Sequence, residues 1–184
     1  IGLERIGCSN EDITCRLNTI EEINNEFNFA VIATPSSPRF EIIKKLIDKG
    51  IKNFLLEKIV FQSLQQFNDV IELLENNNAT AYCNFVNRYF PNYRALKKRI
   101  TETKPSKVTM SVNGGDFGLG CNAIHYLDLF EYMTNSKVTI VDSLLSKSDN
   151  VNARGSQYFE LNGAIKGIDK NGNSISIVSI SNSE

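Results

Sequence analysis

The only histidine of the chain lies on a stretch with helical periodicity, beside two other polar side chains. Cys121 lies four residues before His125 and Asn122 lies three residues before it, so the three side chains share one side of a helix. A neutral imidazole in such a place can accept a proton as an alcohol is oxidised. A lone helical histidine is more often structural, and the local pattern alone leaves both interpretations open.

Two further polar segments each follow an apolar run. Ala33, Thr34 and Pro35 lie at the end of the first run, and Glu57 and Lys58 lie at the end of the second. In doubly wound folds, ligands bind outside the carboxyl ends of the strands. The small Ala33 would let a cofactor approach the backbone, Thr34 offers a hydroxyl, and Lys58 can donate to a substrate hydroxyl or a ribose. An ordinary strand-to-helix turn and a surface ion pair explain the two segments equally well.

The elements that must position these residues alternate between strand and helix. Apolar runs predict strands at residues 29–33, 53–59 and 79–86, buried on both faces as in a parallel sheet. Helical spacing predicts helices at residues 37–50 and 63–75, and Thr19 fits the cap of an earlier helix. This order indicates right-handed parallel crossovers, which form half of a doubly wound (Rossmann) α/β sheet.

The pattern changes after residue 88, which we take as the end of the first domain. Residues 91–100 and 119–133 are predicted as helices, and Gly114 and Gly115 as a turn. Strands are predicted at residues 107–113, 138–145, 158–168 and 174–181. A turn at Asp169 joins the last two as a hairpin. Residues 89–184 therefore form an α+β domain with a mostly antiparallel sheet.

Composition excludes several classes of function. The 184 residues are 41% hydrophobic, and 20 basic residues balance 21 acidic ones, so nothing indicates binding to nucleic acid or to an anionic membrane. No apolar stretch reaches the roughly 18 residues of a membrane span. Four cysteines without a C-x-x-C pair predict no metal site. Cys83 in an apolar run, without a signal peptide, predicts a cytoplasmic protein.

Taken in order, four segments resemble the glucose–fructose oxidoreductase and inositol dehydrogenase family (Gfo/Idh/MocA). That family has a strand ending in ATP, a strand ending in EKP, an NRRF-x-P segment and a helix with an Asp-x-x-x-His pair. The segments in this chain are Ala33-Thr34-Pro35, Glu57-Lys58-Ile59, Asn87-Arg88-Tyr89-Phe90-Pro91 and Cys121-x-x-x-His125. The resemblance covers nearly the whole chain.

The resemblance implies an oxidoreductase that transfers a hydride between NAD or NADP and a hydroxyl or keto group of a sugar or sugar nucleotide. It implies a partial dinucleotide-binding domain at residues 1–88 and a partial substrate and dimerisation domain at residues 89–184. It also implies a homo-oligomer, a dimer or tetramer that pairs through the open face of the second sheet. The alternatives are a catalytically inactive module of the same fold that binds cofactor or sugar, and a doubly wound domain unrelated to nicotinamide.

The resemblance also assigns roles to single residues. Lys58 and His125 are the expected catalytic residues, and both are expected to bind substrate together with Asn122. The expected cofactor-binding residues are Ser9, Asn10, Ala33, Thr34, Pro35, Glu57, Lys58 and Arg88. These roles require Thr34, Lys58 and His125 to converge on one cleft.

The chain departs from the family pattern at three positions. Ile59 replaces the proline that often follows a cis bond, Tyr89 replaces the second arginine, and Cys121 replaces the aspartate. Asn122 or Lys58 is then left to orient the substrate. The chain also has no G-x-G-x-x-G turn, so the resemblance implies that about 25 residues of strand, turn and helix precede Ile1 and that the second domain continues beyond Glu184.

Overall fold

The computed structural model describes residues 17–24, 27–148 and 159–180. The chain divides into two compact units between Asn84 and Phe85. Ser9 and Asn10, two of the expected cofactor-binding residues, lie outside the described residues. No helix within the described ranges is long and apolar enough to cross a membrane.

The first unit is a three-stranded parallel sheet with two crossover helices. Its elements are a 3-10 helix at Ile20–Glu22, β1 at Phe29–Ile32, α1 at Arg39–Asp48, β2 at Asn53–Leu56, α2 at Leu64–Asn76 and β3 at Thr80–Cys83. The strand order is β1-β2-β3, and Ile32, Leu56 and Cys83 lie side by side in register. The predicted parallel half-sheet is therefore confirmed, and its three carboxyl ends are level.

Both helices of this unit pack on one face of the sheet. Ile43 and Ile47 of α1 and Val70 of α2 share one buried cluster with Phe54 and Leu56 of β2. The i, i+4 spacing on α1 turns its apolar residues toward the sheet, as helical periodicity requires. Burying each such side chain stabilises the fold by about 1.5–3 kcal/mol.

Two details of the first unit differ from the sequence prediction. Val31 on β1 and Tyr82 on β3 each remain 64% exposed, so burial on both faces is wrong for the described chain. The reason is that right-handed crossovers place consecutive helices on the same side of a parallel sheet. Thr19 precedes only a 3-10 turn, and its side chain makes no capping hydrogen bond.

The second unit consists of two α-helices, a short 3-10 helix and a mixed four-stranded sheet. Its elements are a 3-10 helix at Val86–Tyr89, α3 at Pro91–Thr103, β4 at Thr109–Gly115, α4 at Leu119–Thr134, β5 at Val138–Lys147, β6 at Leu161–Asp169 and β7 at Ser174–Ile180. The strand order is β4-β7-β6-β5, with only the β4–β7 pair parallel. The mostly antiparallel sheet is confirmed, whereas Gly114 and Gly115 continue β4 instead of forming a turn.

Helix α4 is the element that holds the candidate histidine, and it is anchored on the sheet. Its residues Leu119, Ala123 and Phe130 pack against Ile175 and Ile177 of β7. The two isoleucines are two residues apart and therefore lie on the same face of the strand. This core fixes the rotation of α4 about its own axis.

Candidate functional site

In the first unit, the predicted cofactor segments lie together at the carboxyl edge of the sheet. Residues 33–35 directly follow β1, and Glu57 and Lys58 directly follow β2. The parallel pairing continues one step beyond the strands, since the amide of Glu57 donates to the carbonyl of Ile32 at 3.0 Å. The structure thus places the segment of Thr34 beside that of Lys58.

The carboxylate of Glu57 is held by the residue that follows β3. Asn84 Nδ2 donates to Glu57 Oε2 at 3.1 Å, and the Asn84 amide donates to the carbonyl of Leu56 at 2.8 Å. All three strand exits therefore participate in one polar edge. The sequence prediction missed Asn84, because it included this residue in the strand predicted at residues 79–86.

A buried arginine connects the segments that follow β1 and β2. Arg39, the first residue of α1, is 1% exposed. Its guanidinium donates to the carbonyls of Thr34 and Glu57, and also to Ile59 at 2.7 Å and Val60 at 3.0 Å. Loss of hydration lowers the pKa of Arg39, and Glu57 and Cys83 act in the opposite direction. A guanidinium stays protonated in proteins, so these carbonyls surround a full positive charge.

Arg39 was not among the predicted site residues, although the sequence carries a signal for it. Arg39 lies at the start of the stripe that Ile43, Leu46 and Ile47 continue at helical spacing. A charged residue in an apolar stripe needs polar partners once it is buried. Here, backbone carbonyls of the two loops are those partners.

The backbone at Ile59, where the chain departs from the family pattern, has an unusual peptide geometry. The peptide bond between Lys58 and Ile59 is cis although no proline follows Lys58. The carbonyls of Glu57 and Ile59, on either side of Lys58, are both bound by Arg39. Lys58 thus belongs to a segment that is held from both sides.

One buried atom at this edge fits a ligand. Thr34 Oγ1 is buried, and it has no hydrogen-bond partner among residues 17–24, 27–148 and 159–180. Buried hydroxyls are nearly always hydrogen-bonded, so an exception calls for an explanation. A polar group of a bound cofactor would supply the missing partner, and the residues around Thr34 are therefore compatible with the predicted dinucleotide.

In the second unit, the candidate catalytic face lies on the first two turns of α4. Gly118 precedes the helix with φ +73°, a conformation that favours glycine. Asn122 Nδ2 donates to the carbonyl of Phe117 at 2.6 Å. The ring of His125 packs edge-on against Phe85, with 6.1 Å between the ring centroids. Asn122 is thus tied to the turn before the helix, and His125 is braced by an aromatic ring.

The thiol that replaces the expected aspartate meets an acid from another element. Cys121 Sγ lies 3.5 Å from Oε1 of Glu160, which directly precedes β6. The pair is separated by 39 residues of sequence. No local pattern could have connected the two, and Glu160 was not among the predicted site residues.

Arg88, predicted to lie near the cofactor, is bound by an acid on α4. Arg88 Nε donates to Asp128 Oδ2 at 2.6 Å, and Nη2 donates to Oδ1. The hydrogen bond with Asp128 raises the pKa of Arg88. Asp128 is only 8% exposed and lies three residues after His125. The signal for Asp128 in the sequence was a charged residue on the buried side of an apolar helix.

The structure therefore forms two groups from the predicted site residues. Residues Ala33, Thr34, Pro35, Glu57 and Lys58 form one group on the first unit, and Arg88, Asn122 and His125 belong to the second unit. Convergence of Thr34, Lys58 and His125 on a single cleft remains a prediction.

No protein-family model and no curated protein matches this sequence, but solved structures match its fold. One is a myo-inositol 2-dehydrogenase from Lactobacillus plantarum, with TM-score 0.69, 17% identity, and coverage of 90% of this chain and 55% of that one. A scyllo-inositol dehydrogenase from Lactobacillus casei, solved with NAD(H) and scyllo-inositol, has TM-score 0.65, 14% identity, and coverage of 89% and 53%. A super-repressor mutant of Gal80p from Saccharomyces cerevisiae has TM-score 0.72, 15% identity, and coverage of 100% and 57%.

These matches confirm, at the level of fold, the resemblance drawn from the motifs. The chain spans little more than half the length of each of these structures. The same fold occurs in dehydrogenases and in a repressor mutant, so the fold does not by itself determine the function.

Proposed function

We propose that this chain is part of an oxidoreductase that transfers a hydride between NAD or NADP and a hydroxyl or keto group of a sugar, sugar nucleotide or related polyol. The observation that carries the proposal is the polar edge of the first unit, where Arg39 fastens the Thr34 segment to the Lys58 segment. Fold neighbours that act on inositols, one of them solved with NAD(H), support this choice over other uses of the fold.

The cofactor would be held along the carboxyl edge of the parallel sheet. Ala33 and Pro35 would contact it through small or rigid surfaces, while Thr34 Oγ1, Glu57 and Lys58 would provide polar contacts. Ser9, Asn10 and Arg88 complete the proposed cofactor-binding set. The nicotinamide, when bound, accepts or donates the hydride, and the protein supplies position and charge.

Residues of the protein would bind the reacting hydroxyl group and transfer its proton. Lys58 would donate a hydrogen bond to the substrate oxygen, which stabilises the negative charge that develops there. His125 would accept the hydroxyl proton during oxidation and return it during reduction. Asn122, held by its bond to the Phe117 carbonyl, would orient a neighbouring substrate hydroxyl.

The test is hydride transfer monitored as NADH or NADPH absorbance with myo-inositol, scyllo-inositol and a panel of hexoses and sugar nucleotides. We expect Lys58→Ala and His125→Ala each to lower kcat by about a hundredfold or more, as removal of an acid–base group usually does. Lys52→Ala, an exposed lysine just before β2, is the matched control and should leave kcat unchanged.

Three other results would redirect the proposal. Turnover that survives in the Lys58→Ala/His125→Ala double variant would eliminate this mechanism. Cofactor binding in a fluorescence titration, without hydride transfer on any substrate of the panel, would favour the inactive binding module. Failure to bind either dinucleotide would favour a fold unrelated to nicotinamide.

We also propose a homo-oligomer that pairs through the face of the second sheet opposite α4. Leu144, Ala164 and Val178 are neighbours across β5, β6 and β7, and Leu144 is 78% exposed. A second copy placed on this row would remove apolar surface from water. Light scattering should give a dimer or tetramer, and Leu144→Asp should shift it to monomer. A wild-type protein that remains monomeric at all concentrations would refute this assembly.

A further inference from the structure

Glu160 has a fixed position beside the first turn of α4. It directly precedes β6, and its carbonyl accepts a hydrogen bond from the Ser148 amide at 2.8 Å, just after β5. The backbone at Glu160 therefore extends the β5–β6 pairing by one step. Its side chain reaches α4 from the end of a paired strand, which is the kind of support that a binding residue needs.

The two carboxylate oxygens of Glu160 have different surroundings. Oε1 lies 3.5 Å from Cys121 Sγ, within reach of the thiol. Oε2 is buried, and no donor within the described ranges contacts it. A buried carboxylate oxygen without a donor is rare, because the lost hydration is not replaced. A ligand that donates a hydrogen bond would replace it.

Two glycines at the start of α4 lie beside this oxygen. A Cβ atom at Gly118 would lie 3.4 Å from Glu160 Oε2, and one at Gly120 would lie 3.7 Å from it. Gly118 and Gly120 thus place no side chain beside this oxygen. A ligand hydroxyl bound to this oxygen would lie near the helix side that carries Cys121 and, one turn later, His125.

We propose that Glu160 is a substrate-binding residue, whose carboxylate accepts a hydrogen bond from a hydroxyl group of the sugar or polyol next to the one that reacts. The inference rests on the proposed oxidoreductase function and deepens it, because it adds an acidic hydroxyl acceptor to the side of α4 that carries His125. Substrates with several neighbouring hydroxyls fit this arrangement, whereas simple alcohols lack the second donor.

The first experiment separates substrate binding from chemistry. With the panel substrate that the wild type turns over best, Glu160→Gln should raise KM by about tenfold and leave kcat and the dinucleotide Kd within about threefold. The monodeoxy analogue that lacks the bound hydroxyl should show no such difference between wild type and variant. Glu160→Asp serves as a second variant if Glu160→Gln folds poorly. Glu131→Gln, an acid near the other end of α4, is the matched control and should keep the wild-type KM.

The second experiment does not need turnover. Iodoacetamide labelling, read by peptide mass spectrometry, should show that saturating myo-inositol slows alkylation of Cys121 by at least about threefold. Alkylation of Cys83, on the other unit, should not change. In Glu160→Gln, the protection of Cys121 should disappear.

The outcomes distinguish this inference from the proposed function. Protection of Cys121 that depends on Glu160, in a protein without hydride transfer, would support the hydroxyl site and refute the oxidoreductase. Wild-type turnover with the same KM in Glu160→Gln would refute the role of Glu160 and leave the oxidoreductase in place.

Discussion

Arg88 and Asp128 form a bidentate ion pair that connects the 3-10 helix at Val86–Tyr89 to α4. The two guanidinium donors Nε and Nη2 reach the two oxygens of one carboxylate. Asp128 is nearly buried, and Arg88 also lies 5.6 Å from the ring of Tyr132. This pair binds α4 one turn after His125. Its removal should therefore lower the free energy of unfolding of the second unit.

We predict that Asp128→Ala lowers the free energy of unfolding by about 1–3 kcal/mol, because it leaves the guanidinium without its charged partner. Arg88→Lys should cost nearly as much, since an ammonium cannot form the two parallel hydrogen bonds. Urea denaturation followed by circular dichroism measures both. Lys98→Ala, which removes an exposed pair with Glu102, is the control and should cost less than about 0.5 kcal/mol. Equal costs for Asp128→Ala and Lys98→Ala would contradict the prediction.

Arg39→Ala should be among the most destabilising substitutions in the first unit. It removes the donors from the carbonyls of Thr34, Glu57, Ile59 and Val60, and the loss should be about 3–5 kcal/mol. The dinucleotide Kd should rise as well, because the two loops lose their common support. Lys44→Ala, on the exposed side of the same helix, should change neither quantity. A stable Arg39→Ala protein with wild-type cofactor affinity would show that the loops hold their shape without Arg39.

Asp169 makes the stability of the β6–β7 hairpin depend on pH. Burial alone would raise the pKa of Asp169, but hydrogen bonds from Asn173 and the amide of Asn171 outweigh it and lower that pKa below the ordinary value of 3.8. The amides of Asn171 and Asn173 both donate at 2.9 Å. Because the folded state favours the carboxylate, this stabilisation is fully present above pH 3.8 and is lost as the pH falls through the lowered pKa.

The measurement is the urea midpoint of the wild type and of Asp169→Asn from neutral pH to about pH 3. The wild type should be more stable at neutral pH, and the difference should shrink at the acid end. Asp142→Asn, at an exposed position 3.9 Å from Lys166, should show little difference at any pH. A gap between wild type and Asp169→Asn that stays constant with pH would disprove the assignment.

Two glycines in the second unit should respond oppositely to alanine. Gly163 has φ +123°, and an added Cβ would lie 2.0 Å from the carbonyl oxygen of Leu144 on the neighbouring strand, so Gly163→Ala should cost at least about 3 kcal/mol. Gly120, in the first turn of α4, has only ordinary contacts at 3.5 Å and beyond, so Gly120→Ala should stabilise by about 0.5–1 kcal/mol. Thermal unfolding of both variants checks the pair. A neutral Gly163→Ala would mean that β5 and β6 can separate there without loss.

The sequence by itself determined the kind and order of the α-helices and strands in the described residues. The helices from Arg39 and Leu64 and the strands from Phe29, Asn53 and Thr80 were predicted from apolar spacing within a few residues of their bounds. Periodicity is a local property, because the backbone geometry of a helix or strand decides which neighbours share a face. For the same reason, the sequence could place Thr34 and Lys58 near the ends of strands and His125 on a helix.

The sequence did not determine what covers a strand. An apolar run such as residues 29–32 predicts burial, yet Val31 remains exposed in the described chain. Coverage depends on where later elements pack, and both crossover helices pack on the same face.

Only the tertiary structure decided which side chains become partners. Arg39 binds the carbonyl of Glu57 across 18 residues, Cys121 meets Glu160 across 39, and Arg88 meets Asp128 across 40. Such pairs depend on which strands lie side by side and on the rotation of each helix, and those are set by packing of the whole core. The sequence thus determined which residues could do chemistry and on which elements they lie. The tertiary structure determined which side chains and backbone carbonyls lie close enough to bind those residues.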